Sequence, residues 1–229
     1  YIPEIGTTAL DSETKAHISM ADGSVTIVDT VDYRDLAPNH EYTMEGTLMD
    51  KGTGEVLMVN GEPVTASTVF TPTEPDGSVD VTFTFDATGM KGKDIVVFEK
   101  LLVADYEAAI HEDIEDNGQT IHFPEIGTEA QSMDGGKTVT ISSTMTVVDK
   151  VSYKNLIPGQ VYVTEGTLMD KATGEAIRDA EGNVVTAKAQ FVPEEADGEM
   201  EVTFTFNGTN LSSMDAVVFE KLFIVNGAV

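Results

Sequence analysis

Pro3-Glu4-Ile5-Gly6-Thr7 returns as Pro124-Glu125-Ile126-Gly127-Thr128, and Val28-Asp29-Thr30-Val31-Asp32-Tyr33 returns as Val148-Asp149-Lys150-Val151-Ser152-Tyr153. Residues 45–51 return unchanged at 165–171, 81–85 at 202–206, and 96–101 at 217–222. A period of about 120 residues is too long for a solenoid unit and suits a tandem of domains. The chain therefore divides into two homologous units, residues 1–123 and 124–229. The copies are not equal. A stretch running from His111 through Glu112, Asp113, Glu115, Asp116, Asn117 and Gly118 to Gln119 closes the first. The second ends about ten residues short of its own glutamine on the repeat period, and all four histidines lie in the first.

Within each copy the apolar residues alternate. Segments 25–29, 41–48, 64–70, 79–85 and 95–103 are rich in Val, Thr, Tyr and Phe, with Gly, Pro, Asn and Asp between them. That pattern predicts short antiparallel strands stacked as a sandwich. Helix signals are weak: residues 86–90 are read as one turn crossing between sheets, and residues 36–38 as a bend at a strand end. The segment between His111 and Gln119 is read as a loop with an Asn-Gly turn that folds Gln119 back towards His111, and Gln119 then opens a strand.

Charge narrows the partners. With 40 acidic against 13 basic residues the net charge is −27, which repels nucleic acid and anionic membrane surfaces. No apolar run approaches a membrane span, and neither a signal peptide nor a sorting tail is present, so the chain reads as a mature fragment of something larger. Cysteine is absent; disulfides and thiolate metal sites are excluded, and rigidity must come from packing or another covalent link. There is no phosphate-binding glycine loop, paired-histidine metal spacing or nucleophile elbow. The acids between Asp113 and Asp116 lack an EF-hand pattern and read as solvated. No cofactor and no metal are expected.

Two acids sit in apolar strands: Asp29, returning as Asp149, and Glu99, returning as Glu220. By alternation Val97 and Glu99 share a face. A lone strand glutamate is ordinarily on the solvated face.

Taken together, these motifs resemble the Thr–Gln ester-bond domains, also called VaFE repeats. They are Pro-x-Ile-Gly-Thr, Val-Asp-x-Val-x-Tyr, Glu-Gly-Thr-Leu-Met-Asp-Lys-x-Thr-Gly-Glu, Val-Val-Phe-Glu-Lys-Leu and His-Glu-Asp-Ile-x-Asp-x-Gly-Gln-Thr, and they occur in order. The resemblance covers all of the first copy and the second as far as Leu222. It implies two immunoglobulin-like (CnaB-like) all-β sandwiches in the stalk of a Gram-positive surface adhesin, extracellular and cell-wall anchored in the parent protein. It further implies an autocatalytic ester between Thr7, the nucleophile, and Gln119, the electrophile, assisted by Asp29, Glu99 and His111. Thr8 and Asp32 compete with Thr7 and Asp29, but Glu129 and Ser152 replace them in the second copy. There, Thr128, Asp149 and Glu220 remain without a histidine or glutamine partner, in a sandwich expected to lack its last strand. The expected partners are neighbouring repeats of the same stalk, with the chain itself a monomer, and not an enzyme acting on external substrates.

Other readings compete. An isopeptide bond would use Lys15 and Asn117 with Glu45 as the acid. A lectin-like module would need an exposed aromatic patch, in a chain with no Trp and six Tyr. A hydrolase built on Thr7, Asp29 and His111 would need an open cleft.

Overall fold

The computed structural model describes residues 2–226; the outermost positions of both expected domains, Tyr1 and residues 227–229, lie outside that range. The chain forms two compact units, Tyr1–Pro124 and Glu125–Val229. Both are all-β sandwiches of immunoglobulin-like type.

The strands of unit 1 are β1 (Glu4–Asp11), β2 (Val25–Arg34), β3 (Tyr42–Asp50), β4 (Glu55–Val56), β5 (Met58–Val59), β6 (Glu62–Pro63), β7 (Thr65–Phe70), β8 (Gly77–Phe85), β9 (Asp94–Val103), β10 (Tyr106–His111) and β11 (Thr120–His122). One sheet has the order β1-β2-β8; the other has the order β10-β9-β3-β4, with β7 also on β3 and β11 also on β9. Residues 86–90 form a turn and not a helix, since Asp86 accepts the backbone N–H of Thr88 and closes the bend with its own side chain.

Alternation sorts the side chains. Val25, Ile27, Asp29, Val31 and Tyr33 of β2 point inward, as do Ile95, Val97, Glu99 and Leu101 of β9. On β1 the residue opposite Val31 is Thr7 and the residue opposite Asp29 is Ala9, so Thr7 faces the interior beside Asp29. Ile121 and Phe123 close one end of this core, both fully buried, and Phe123 meets Phe85 edge to face with ring centroids 6.4 Å apart.

Unit 2 contains β12 (Glu125–Gln131), β13 (Met145–Lys154), β14 (Tyr162–Asp170), β15 (Thr186–Phe191), β16 (Gly198–Phe206) and β17 (Ala216–Ile224). Its sheets, β12-β13-β16 and β15-β14-β17, repeat those of unit 1. Among the described residues nothing corresponds to β10, the turn after it, or β11. Met145, Val147, Leu168, Ile177, Phe206 and Leu211 line a cavity of about 820 Å³. Their counterparts in unit 1 are Val25, Ile27, Leu48, Leu57, Phe85 and Met90, which belong to one core with Ile121 and Phe123.

Candidate functional site

Three strands and a turn bring Thr7, Asp29, Glu99 and Gln119 of unit 1 together between the sheets, and a fourth strand, β10, ends beside them in His111. Asp29, Glu99 and Gln119 are completely buried. The expectation that a strand glutamate faces solvent fails at Glu99, and the reason lies across the ladder. Glu99 pairs with Gly46 of β3, where a Cβ would stand 2.5 Å from Glu99 Oε1 and would also collide with the Phe83 ring. The missing side chain leaves the pocket that the carboxyl fills. Thr8 and Asp32, the competing candidates, are both exposed, because each lies one residue out of register with the inward face.

The Gln119 carboxamide donates from Nε2 to Asp29 Oδ2 at 3.1 Å. Its Oε1 is buried without a partner, as are Thr7 Oγ1, Asp29 Oδ1 and both oxygens of Glu99. Buried polar atoms are normally satisfied, so five orphans from four side chains mark a site held for chemistry or for a proton. Asp29 and Glu99 are in side-chain contact. Two carboxylates have nothing to donate to each other; one shared proton supplies the missing hydrogen bond. Burial pushes Glu99 up to about 10, and the negative charge of Asp29 adds to the shift. Burial raises Asp29 less, to about 6, because Glu99, the positive field of His111 and the Gln119 amide all favour its ionised form.

His111 ends β10 directly opposite Glu99, but its ring does not bond the acid pair. Nε2 meets Asp116 Oδ2 at 2.7 Å. Asp116, expected to be one more solvated acid, instead organises the turn. Its Oδ1 accepts the Gly118 N–H at 2.7 Å and its backbone carbonyl accepts the Thr120 hydroxyl at 2.8 Å. The Asn-Gly signal marks a 3₁₀ turn, Asn117–Gln119, capped by Asp116. It is not a hairpin turn, and β11 begins at Thr120 rather than at Gln119. A capping acid three residues before the glutamine is the signal that was available. Glu115, the neighbouring acid, instead pairs at the surface with Lys51 at 3.5 Å. No group of acids and histidines with metal-ligand geometry occurs among the described residues.

In unit 2 Asp149 is fully buried, and Glu220 lies against Gly166 as Glu99 does against Gly46. Thr128, the counterpart of Thr7, is exposed. The isopeptide set is not assembled: Lys15, Glu45 and Asn117 are all exposed, and Glu45 points to the outer face of β3. Of the hydrolase set, Asp29 is completely buried and Thr7 and His111 are half-buried.

The family model for the T-Q ester bond containing domain matches residues 3–123 and again residues 124–228. No curated protein matches the chain. Among solved structures, a bacterial adhesin from Mobiluncus mulieris containing intramolecular disulfide, isopeptide and ester bond cross-links is 14% identical, with a TM-score of 0.46, over 96% of this chain and 81% of that one. The C-terminal domain of the Streptococcus pyogenes antigen I/II-family protein AspA is 11% identical, with a TM-score of 0.32, over 98% and 90% of the respective chains. With two consecutive matches to one family model spanning nearly its whole length, the chain belongs to the family of T-Q ester bond containing domains.

Proposed function

We propose that this chain is a structural stalk module of a bacterial cell-surface adhesin, extracellular and anchored through its parent protein, in which unit 1 cross-links its own first strand to the turn that opens its last. Thr7 Oγ attacks Gln119 Cδ, the C–N bond breaks, ammonia leaves with the hydroxyl proton, and an ester remains. The observation that carries this reading is the burial of a hydroxyl, a carboxamide and an acid pair together with their reactive atoms unpartnered.

An amide is a poor electrophile and a threonine hydroxyl a poor nucleophile, so each needs help. Asp29, the more readily ionised acid, holds the nitrogen end of the carboxamide. Glu99 keeps its proton at neutral pH and is the donor for the oxygen that develops charge in the tetrahedral intermediate. His111, fixed through Nε2 by Asp116, relays the hydroxyl proton towards the departing nitrogen. The reaction happens once per molecule and has no external substrate.

The link closes a loop of about 110 residues, which by analogy with a disulfide stabilises the fold by about 4–5 kcal/mol through the unfolded chain. Its mechanical effect is larger. A covalent tie between the first strand and the segment leading into the next unit carries tension past the hydrogen-bonded ladders.

Peptide mapping tests the reading. Digestion should release a joined peptide containing Thr7 and Gln119 that separates under mild alkali, as an ester does and an isopeptide does not. Glu99→Ala should fold and yield the two peptides apart. A joined peptide that survives alkali, or one that persists in Glu99→Ala, contradicts it.

A further inference from the structure

The two acid pairs differ in one neighbour. On the inward face of β3, Gly46 lies opposite Glu99 and Met44 stands two residues away; on β14 the same places are held by Gly166, opposite Glu220, and Thr164. Met44 and Thr164 are both completely buried. Methionine offers no donor. The Thr164 hydroxyl donates to Glu220 Oε2 in a short hydrogen bond.

We infer that the residue at this position decides which acid of the pair keeps the shared proton: Glu99 in unit 1, where it is Met44, and Asp149 in unit 2, where it is Thr164. A donor aimed at a buried carboxyl favours its ionised form and leaves the proton to the other acid. The partner atoms follow that rule. In unit 1 the acid with an outside donor is Asp29, bonded by Gln119 Nε2, while both oxygens of Glu99 are orphaned. In unit 2 the acid with an outside donor is Glu220, while both oxygens of Asp149 are orphaned. The backbone N–H of Glu129 leans towards Asp149 ionised but makes no hydrogen bond of good geometry.

Ionisation follows the same division. Glu99 is raised to about 10 against about 6 for Asp29. Asp149 is raised to about 7 by burial and by the charge of Glu220, whereas Glu220 is raised by burial but held back by the Thr164 hydroxyl and by Asp149. The remaining charges around the second pair oppose this order. Lys137 favours Asp149 ionised and Glu165 disfavours Glu220 ionised, so both work against the hydroxyl. Around the first pair, the positive field of His111, the Gln119 amide and the backbone N–H of Thr8 add to the order by favouring Asp29 ionised, and only a substitution separates their share from that of Met44.

The consequence rests on the Thr–Gln reading. The neutral acid polarises the carboxamide and the anion holds its nitrogen, so a hydroxyl in the place of Met44 ionises the acid that must donate. Position 44 is thereby a positioning residue for the cross-link, acting through Glu99.

Valine has the shape of threonine without its hydroxyl, so the two together separate donation from packing. Carboxyl ¹³C titrations of the whole chain should show Asp149 titrating above Glu220. In Thr164→Val, Glu220 should rise by about one pH unit and Asp149 should fall. Titrations that do not move in that variant overturn the inference. In unit 1, ammonia loss followed by mass against pH should keep its alkaline limb in Met44→Val, whereas Met44→Thr should move that limb down by about one pH unit. Superposable profiles for these two variants overturn the role in the cross-link. Absence of ammonia loss in every variant sinks the Thr–Gln reading instead, and the titrations still decide which acid holds the proton.

Discussion

Unit 1 and unit 2 share their central strands, their glycine pockets and an interior pair of acids, yet among the described residues only unit 1 delivers a carboxamide to the pair. The difference is one short passage of chain: β10 brings His111 opposite Glu99, Asp116 caps the turn, and Gln119 enters as the strand resumes. Unit 2 shows that the acid pair belongs to the sandwich itself and does not depend on that passage. Asp149, like Asp29, is closed off from solvent although no glutamine bonds it. The sandwich supplies an unusual local environment, and the closing segment supplies the reactants' geometry.

The apolar side of this division gives the largest expected effect. Phe123→Ala should open in unit 1 the kind of space that unit 2 already has, and cost unit 1 about 4 kcal/mol. Denaturant unfolding with domain-resolved probes should show unit 2 unmoved. Equal losses in both units would contradict the division.

Next comes the capping acid. Asp116→Ala removes both the His111 partner and the cap of the turn that carries Gln119, and should slow ammonia loss about a hundredfold, equivalent to about 2.7 kcal/mol of barrier. A rate within a factor of a few of the native chain would reduce Asp116 to a surface acid.

Gly46→Ala and Gly166→Ala sharpen the comparison from the shared side. Each added methyl collides with a buried carboxyl and a phenylalanine ring, Phe83 in one unit and Phe204 in the other. Each should destabilise its own unit by about 2 kcal/mol. Thermal unfolding measures this, and tolerance of alanine at either position would mean that the carboxyl does not need the glycine.

These residues also mark what the sequence makes readable. The repeat and the strands can be read from periodicity and recurrence, whereas the two acids stand out there only as carboxylates in apolar strands and take their role from the resemblance to the Thr–Gln ester-bond domains. Thr7 over Thr8 and Asp29 over Asp32 are read from the second copy, where Glu129 and Ser152 stand instead, and the ladder gives the physical reason by leaving Thr8 and Asp32 exposed. Gly46 is invisible without the β3–β9 register, because only pairing places it opposite Glu99. Asp116 is hidden among like charges; which acid of that run turns inward is settled by a 3₁₀ turn, and the Asn-Gly pair within it imitates a hairpin signal. The Thr164 hydroxyl is equally silent, since threonine is ordinary in strands.

pH acts on the same acid pairs. Asp29 and Glu99 are raised in the folded state, so folding takes up protons. The associated stability is full below about pH 4, where the unfolded acids are also protonated, and declines as pH rises through the folded values. In an unlinked Thr7→Ala chain, unit 1 should lose stability progressively from about pH 4 towards about 10, whereas the contribution of Asp149 in unit 2 should be spent by about pH 7. Domain-resolved hydrogen exchange against pH tests this. A unit 1 whose stability rises over that range would contradict the buried neutral acid.

The intact mass of the native chain beside that of Thr7→Ala tests the central claim most directly. The account predicts a native chain lighter than its sequence by one ammonia, a deficit arising in unit 1 alone, and a Thr7→Ala chain at its full sequence mass. A native chain at full mass, or a deficit that persists in Thr7→Ala, would contradict it.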